Sequence, residues 1–441
     1  MNIKQWTAAL PLLLAVPAMA DTDVYLTNNS DQPLTIQVKH TGTDQLQLGD
    51  EWQQHTQALG PWETKAVISF NRWEGVESGQ TYQFETVVSN ARGESVTLYQ
   101  KMAGHWYNST IEHGVTAADV PLALKDDRNV HRFESTSFGD RAVELAFKSE
   151  RTARYDDLYY TITPEKLDEA VEPDANTLKM MTYNIWMLPA VASHIDERFD
   201  IIPEHVKGYD VLALQEVFAG GRDEFLRELA KEYPYQTKML DQDGFNIHDG
   251  GVVIVSRYPI VNQAQYVFPD CSGTDCFADK GVNYAEVIKN GQAYHVFATH
   301  TASFDTDTAR EYRQRQFKQM REMAESLDIP AHETVVYSGD FNVNKLKFPG
   351  DYQQMMANLN AAEPIYTGYT ASTFDPRIND FAGEALSGGE NIEYLDYVMV
   401  SQEYGDKTEN TNRVDVPRST DERMWQHYNL SDHFPVSAVI K

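Results

Sequence analysis

Eight polar residues spread between positions 184 and 433 of the 441-residue sequence have the chemistry of a hydrolytic site: Asn184, Glu216, His300, Asp340, Asn342, Asp396, Asp432 and His433. By segment they form six groups at the ends of apolar runs, Asp340 standing with Asn342 and Asp432 with His433. Singly they are ordinary, since an Asn after a strand is a turn former and a lone His is usually structural. Together they suit one task. Hard oxygen donors such as Glu216, Asp432 and Asn184 fit Mg²⁺, which prefers one or two carboxylates with water and substrate phosphate. Two histidines on separate segments fit a base and an acid, or a base and a transition-state donor, on either side of a phosphoryl group. Asp340 and Asn342 lie two apart after the run Thr334 to Ser338, with Gly339 breaking the pattern. The strand period of two predicts that both point the same way; the alternative is an Asx-rich turn that caps a loop.

The segments that must position these residues alternate between strands and helices. Strands are predicted at Leu178 to Asn184, Asp210 to Glu216, Gly251 to Ser256, Tyr284 to Ile288, Tyr294 to His300, Thr334 to Ser338, Tyr394 to Val400 and Pro435 to Ile440. Helices are predicted at Asp223 to Tyr233 and Asp307 to Leu327, the latter with Arg, Gln, Lys and Glu on its outward face. This texture is an α/β layered sheet whose strand ends carry the polar residues.

Residues 21–163 read differently. Short alternating runs such as Leu34 to Val38 and Tyr82 to Val88, separated by turn residues, predict an antiparallel β-sandwich, with no cluster of acid, base or nucleophile. Its Trp52, Trp62, Trp73 and Trp106 are read as core or hairpin-packing aromatics, the functional alternative being an aromatic face for glycan or membrane. The acidic, proline-bracketed stretch 164–177 reads as a linker, and 178–441 as the catalytic part. Residues 1–20 have the features of a secretory leader: Lys4, an apolar run from Trp6 to Val16, then Ala18-Met19-Ala20, so that a mature chain begins at Asp21. A soluble exported product is therefore expected. Cys271 and Cys276, the only cysteines, are separated by four residues in a Gly-containing loop and are expected to form one disulfide; a metal site is disfavoured because two thiols do not complete a tetrahedral set. The net charge of -29 repels polyanions and argues against a nucleic-acid substrate.

The segments Met181 to Trp186, Leu214 to Val217, Ala298 to His300, Ser338 to Asn342 and Ser431 to Pro435 resemble, in order, the motifs of the endonuclease/exonuclease/phosphatase superfamily, the DNase I-like fold. Within it the chain most resembles the bacterial neutral sphingomyelinases C, through Asp249 to Ser256, Asp279-Lys280-Gly281, Asn342 to Lys345, Tyr366 to Ala371 and Glu393 to Tyr397. The resemblance covers about residues 175 to 441 and leaves the N-terminal part outside it. It implies that Glu216 is a direct Mg²⁺ ligand, with Asn184 and Asp432 supporting the metal and its waters. It implies that His433 is the general base, oriented by Asp396. His300 would donate to phosphoryl oxygens or the leaving group, and Asp340 with Asn342 would position water and phosphate. The implied protein is a secreted, monomeric phosphodiesterase that acts on sphingomyelin at a membrane surface or in micelles, releasing ceramide and phosphocholine. An extracellular nuclease on the same fold is the alternative, and a binding or pore-forming toxin acting through the sandwich is a third reading.

Two further expectations concern the substrate. Tyr394, Tyr397 and Trp186 are candidates to line a choline-binding cleft, with core packing as the alternative for each. Family members that attack membranes carry a protruding aromatic-tipped hairpin between the Leu-Asp-Tyr and Ser-Asp-His motifs. Here Ser401 to Thr420 is mostly polar, and only Met424-Trp425 and Tyr428 offer apolar weight. Membrane entry is expected to differ and to draw partly on the N-terminal sandwich.

Overall fold

A computed structural model describes residues 21–152, 154–218, 220–241, 249–384, 391–407 and 409–441, and the expected leader, residues 1–20, lies outside the described residues. The chain divides into two compact units, residues 1–165 and 166–441.

In the first unit two sheets face each other. One has the order Trp52–Gln54, Thr64–Asn71, Asp21–Asn28, Asp156–Pro164, Val143–Arg151, His131–Ser135; the other runs Ala58–Leu59, Leu34–Thr41, Thr81–Ser89, Ser95–Gly104, Ser109–Thr116. Strict alternation along Thr81–Ser89 and Ser95–Gly104 sends Tyr82, Phe84, Val88, Val96, Leu98 and Met102 into one core. The sandwich is not wholly antiparallel, because Asp21–Asn28 pairs in parallel with Asp156–Pro164. Its tryptophans divide. Trp62 is buried and Trp52 packs on the core, whereas Trp73 is 53% and Trp106 83% exposed.

The second unit is a four-layer α/β structure. One sheet has the order Tyr235–Gln236, Val253–Ser256, Val211–Gln215, Leu178–Asn184, Val436–Ile440, Asn410–Val414, Ile365–Gly368; the other runs Ile260–Val267, Gly281–Lys289, Gln292–His300, Thr334–Asp340, Asp396–Ser401, Ala361–Ala362. Leu178, Met180, Val211, Ile254, Val287, Val296, Val336, Val398 and Ile440 fill the space between the sheets. Helices Ile195–His205 and Arg222–Leu229 cover the outer face of the first sheet through Phe199, Ile202, Phe225 and Leu229. Covered on both faces, the central strands read as continuous apolar runs.

Register brings the polar ends together. Asn184 pairs with Gln215 in parallel, His300 with Asp340 in parallel, and Asp340 with Asp396 antiparallel. Asp396 therefore begins its strand, and Asp432 and His433 precede Val436–Ile440, because these antiparallel neighbours run the opposite way. All converge on one edge. Gly339 does not end its strand, which continues to Asp340; at φ 144° a Cβ there would lie 2.0 Å from the Thr299 carbonyl oxygen, so only glycine allows the two strands to approach this closely.

The helix Asp307–Ser326 carries its expected polar outward face and also turns two polar side chains inward. Arg313 and Gln316 are buried, and Gln316 bridges the Ala302 N–H (2.9 Å) and the Asp270 carbonyl (3.1 Å). The polar stretch after Ser401 contains a sheet strand, Asn410–Val414. Met424, Trp425 and Tyr428 are buried, which removes them as membrane-facing groups. Cys271 and Cys276 are disulfide-bonded, with Cα atoms 5.1 Å apart.

A buried ion pair locks the two sheets. Lys289 ends a strand of one sheet and Asp210 precedes a strand of the other; both side chains are fully buried, with Nζ 2.7 Å from Oδ2 and 2.6 Å from the Thr177 carbonyl. Burial pushes the Asp210 carboxyl up, against the ammonium's pull. Lys289→Met leaves that carboxylate uncompensated and is expected to lower the unfolding free energy by about 3–5 kcal/mol, while Asp210→Asn with Lys289→Met recovers most of the loss. Urea denaturation of the two variants checks this, and a double variant as unstable as the single one refutes it.

Candidate active site

The gathered edge opens into a cleft of about 660 Å³ lined by Glu216, His300, Asp340, Asn342, Asp432 and His433. Asn184 and Asp396 stand immediately behind it. The Asn184 amide nitrogen bridges Glu216 Oε1 (3.0 Å) and Asp340 Oδ2 (3.1 Å), and Asp396 Oδ2 accepts from His433 Nδ1 at 2.8 Å. All eight residues singled out by chemistry thus share one constellation. Tyr394 and Tyr397 do not join it: they are buried in an aromatic cluster with Tyr352, while Trp186 does line the cleft.

Strained turns aim several of these side chains. Glu216 has φ 58°, Trp186 φ 48° and Asn342 φ 49°. Asparagine tolerates the left-handed region, but Glu and Trp in it cost on the order of 1–3 kcal/mol each and persist only where their surroundings impose it. Asn342 is consequently placed by a turn and not by the strand pleat. Its backbone N–H donates to Asp340 Oδ1 (3.0 Å) and its side chain to the Thr301 carbonyl (3.3 Å).

The electrostatics are those of too many carboxylates in one buried place. Burial, aided by Glu216 and opposed by His433, pushes the Asp432 carboxyl up to about 7. Burial alone would discharge His433, but Asp396, Asp340 and Asp432 outweigh it and hold the imidazole well above its ordinary value. His300 goes the other way, lowered by burial and by the Lys280 ammonium against the pull of Asp340 and Glu216. Its Nε2 lies 3.4 Å from Asp340 Oδ2, and its Nδ1 is buried without a hydrogen-bond partner.

Two observations bear on a cation. Asp340, Asp396 and His433 present possible ligand atoms within 4.8 Å of one another, but the Asp396–His433 pair is already hydrogen-bonded. Glu216 Oε2, by contrast, is buried and has no hydrogen-bond partner. An unpaired carboxylate oxygen beside Asp432 fits a hard divalent cation, which would also reverse the upward shift of Asp432.

Several positioning residues are not evident from motif chemistry. Arg198, fully buried in its helix, donates Nη1 to the carbonyls of Ile185 (2.7 Å) and Leu430 (3.2 Å), Nη2 to Trp186 (2.8 Å) and Nε to Ser193 (3.0 Å). It ties the turn after Asn184 to the turn before Asp432. The signal was its spacing among Phe199, Ile201 and Ile202, which places it on the apolar face. Asn379 donates to the carbonyls of Ser431 (2.9 Å) and Asp432 (3.1 Å). Lys280, which the Asp279-Lys280-Gly281 motif had marked without giving it a role, is buried in the cleft wall, with Nζ bonded to the Thr301 carbonyl (3.0 Å) and Ser303 Oγ (2.9 Å).

Paired α/β/β/α layers with the polar constellation at one sheet edge define a DNase I-like fold. The model of the endonuclease/exonuclease/phosphatase family matches residues 181–433, and the chain belongs to that family. It is 34% identical to a sphingomyelinase C of Bacillus cereus over 60% of this chain and 89% of that one. A mutant of beta toxin from Staphylococcus aureus with bound magnesium ions superposes with a TM-score of 0.55 at 32% identity, covering 59% of this chain and 98% of that one. Sphingomyelinase C from Streptomyces griseocarneus gives 0.54 at 29% identity, with 60% and 99% covered.

The Arg198 scaffold has a measurable signature. Arg198→Lys cannot reach four carbonyls at once and is expected to destabilise the protein by about 2 kcal/mol or more. A chemical-denaturation difference below about 0.5 kcal/mol would show that the guanidinium holds nothing.

Proposed function

We propose that residues 166–441 form a divalent-cation-dependent phosphodiesterase that hydrolyses sphingomyelin to ceramide and phosphocholine, and that the protein works as an exported monomer at lipid surfaces. The observation that carries this reading is the 2.8 Å bond from His433 Nδ1 to Asp396, which holds the ring so that Nε2 is left for the cleft it shares with His300 and Glu216. The names of the relatives support the substrate class.

The roles follow from the geometry. With Nδ1–H held by Asp396, His433 Nε2 takes the proton of an attacking water once the ring, which the surrounding carboxylates hold charged, has given up its own Nε2 proton. The oxygen attacks phosphorus as the bond to the ceramide oxygen breaks, and that oxygen takes a proton from solvent water, balanced by the proton His433 returns to solvent, so that ceramide departs as the alcohol. His300, whose charge is disfavoured by burial and Lys280, is a neutral donor to phosphoryl or leaving oxygen, and Asp340 and Asn342 orient water and phosphate. Glu216, with Asp432 and Asn184 around it, would hold the cation, preferably Mg²⁺, whose charge offsets that of the phosphoryl oxygens. Phosphocholine is a zwitterion, so a protein of charge -29 does not repel it as it would a nucleic acid.

Glu216→Gln is expected to abolish cation-dependent turnover while the fold survives. His433→Ala and His300→Ala are each expected to slow turnover by about 10²-fold or more. Product analysis on sphingomyelin, phosphatidylcholine and duplex DNA, with and without Mg²⁺, tests the whole reading: phosphocholine release from sphingomyelin is expected, and rapid DNA degradation without it overturns the substrate.

A further inference from the structure

The mouth of the cleft exposes apolar side chains that the chemistry does not use. Phe277 is 54% exposed, Phe304 43% and Val191 38%, and all three line the same cleft as His300 and His433. Their supports are stiff. Phe277 ends the 3-10 turn Gly273–Phe277, directly after the Cys271–Cys276 disulfide. Buried Asp275 of that turn accepts the Ser303 N–H at 2.7 Å and lies 3.5 Å from Lys280 Nζ, so the two loops that carry the phenylalanines are bonded to each other. Phe304 has φ 70°, a conformation that a bulky aromatic residue adopts only when held. What holds it is Arg313, almost wholly buried, which donates to the carbonyls of Ala302 (3.0 Å) and Phe304. A disulfide, a buried ion pair and a strained backbone are thus arranged so that two phenylalanines face water.

We infer that this rim is a docking surface for a zwitterionic lipid layer. Phe277, Phe304 and Val191 enter its interfacial region and set a headgroup phosphodiester at the depth of His433 and His300. The inference deepens the proposed reading and rests on it. The occupant follows from continuity: a phosphodiester that reaches those histidines while its lipid stays in the layer must bring that layer against whatever rings the cleft. Charge narrows the choice, because a protein of net charge -29 is repelled by an anionic leaflet, which leaves apolar contact with a neutral one. Aromatic side chains at the headgroup level are suited to such contact.

The test uses the full-length protein carrying Glu216→Gln, so that vesicles are not consumed, and vesicles of phosphatidylcholine with sphingomyelin. Adding Phe277→Ser and Phe304→Ser together is expected to lower partitioning in a sedimentation assay at least about tenfold, with little dependence on salt between low and high ionic strength. Unchanged partitioning overturns the docking surface. Should the triple variant fail to fold, hydrogen exchange of the parent decides: slowed exchange over 271–278 and 301–306 on vesicle addition supports the proposal, and unaltered exchange there overturns it. The two readings fail separately. Vesicle binding through the rim by an active-site-intact enzyme that releases no phosphocholine sinks the substrate reading and leaves the docking; phosphocholine release from a protein whose rim variants bind vesicles as before does the reverse.

Discussion

The structure turns on the burial of Asp340, Asp396 and Asp432, beside the half-buried Glu216, at one edge of the paired sheets. Charges of one sign in a medium of low polarity repel strongly, and each would sooner take up a proton or return to water. Return to water is closed, because every carboxylate hangs from a strand end or a turn whose backbone is fixed by two packed sheets, and the pull toward a proton shows in the upward shift of Asp432. The compensating groups are few and specific: the two histidines, Lys280 at the wall, and Arg198 behind the turns. A site of this kind stores an affinity for positive charge before any ligand arrives. The strain at Trp186 and Glu216 and the paired apolar sheets belong to the same account, since a softer frame would relax and the affinity would be lost.

How far the chain discloses this depends on what each residue answers to. The strands of the second unit were legible because burial on both faces leaves continuous apolar runs, and the constellation was legible because acids and histidines follow those runs. Asn342 was placed correctly for a reason the pleat does not supply, since a turn carries it. Tyr394 lies two residues from Asp396 yet enters the core, which sequence distance cannot reveal. Asn410–Val414 shows no apolar strand pattern because Asn410 and Asn412 point inward: Asn412 donates to the Val398 carbonyl and accepts the Val398 N–H, each at 2.9 Å, so hydrogen bonds to the neighbouring sheet replace the apolar contact that a strand pattern leads one to expect. The helix carrying Arg198 was hidden by Pro203 and by a charged residue on its apolar face.

The sandwich shows the complementary limit. Alternation gave its strands and core, but no pattern distinguishes a tryptophan that packs inward from one that does not, and Trp62 and Trp106 sit at opposite extremes of exposure in the same unit. The parallel pairing of Asp21–Asn28 with Asp156–Pro164 joins segments 134 residues apart, a relation invisible to any local window.

The threading of the second unit also has a consequence for how the enzyme comes into being. The strand Val436–Ile440 lies in the middle of its sheet, against Leu178–Asn184, and the Ser431 hydroxyl bonds the Asn184 carbonyl across 247 residues of sequence. Until that late segment is inserted, the first sheet is split, the Asp432–His433 turn has nowhere to sit, and the closure entropy of a very long loop stands unpaid. A nascent chain that reaches only Asp396 therefore lacks the Asp432–His433 turn and the strand that joins the sheet, and the constellation is assembled only after that segment has been made.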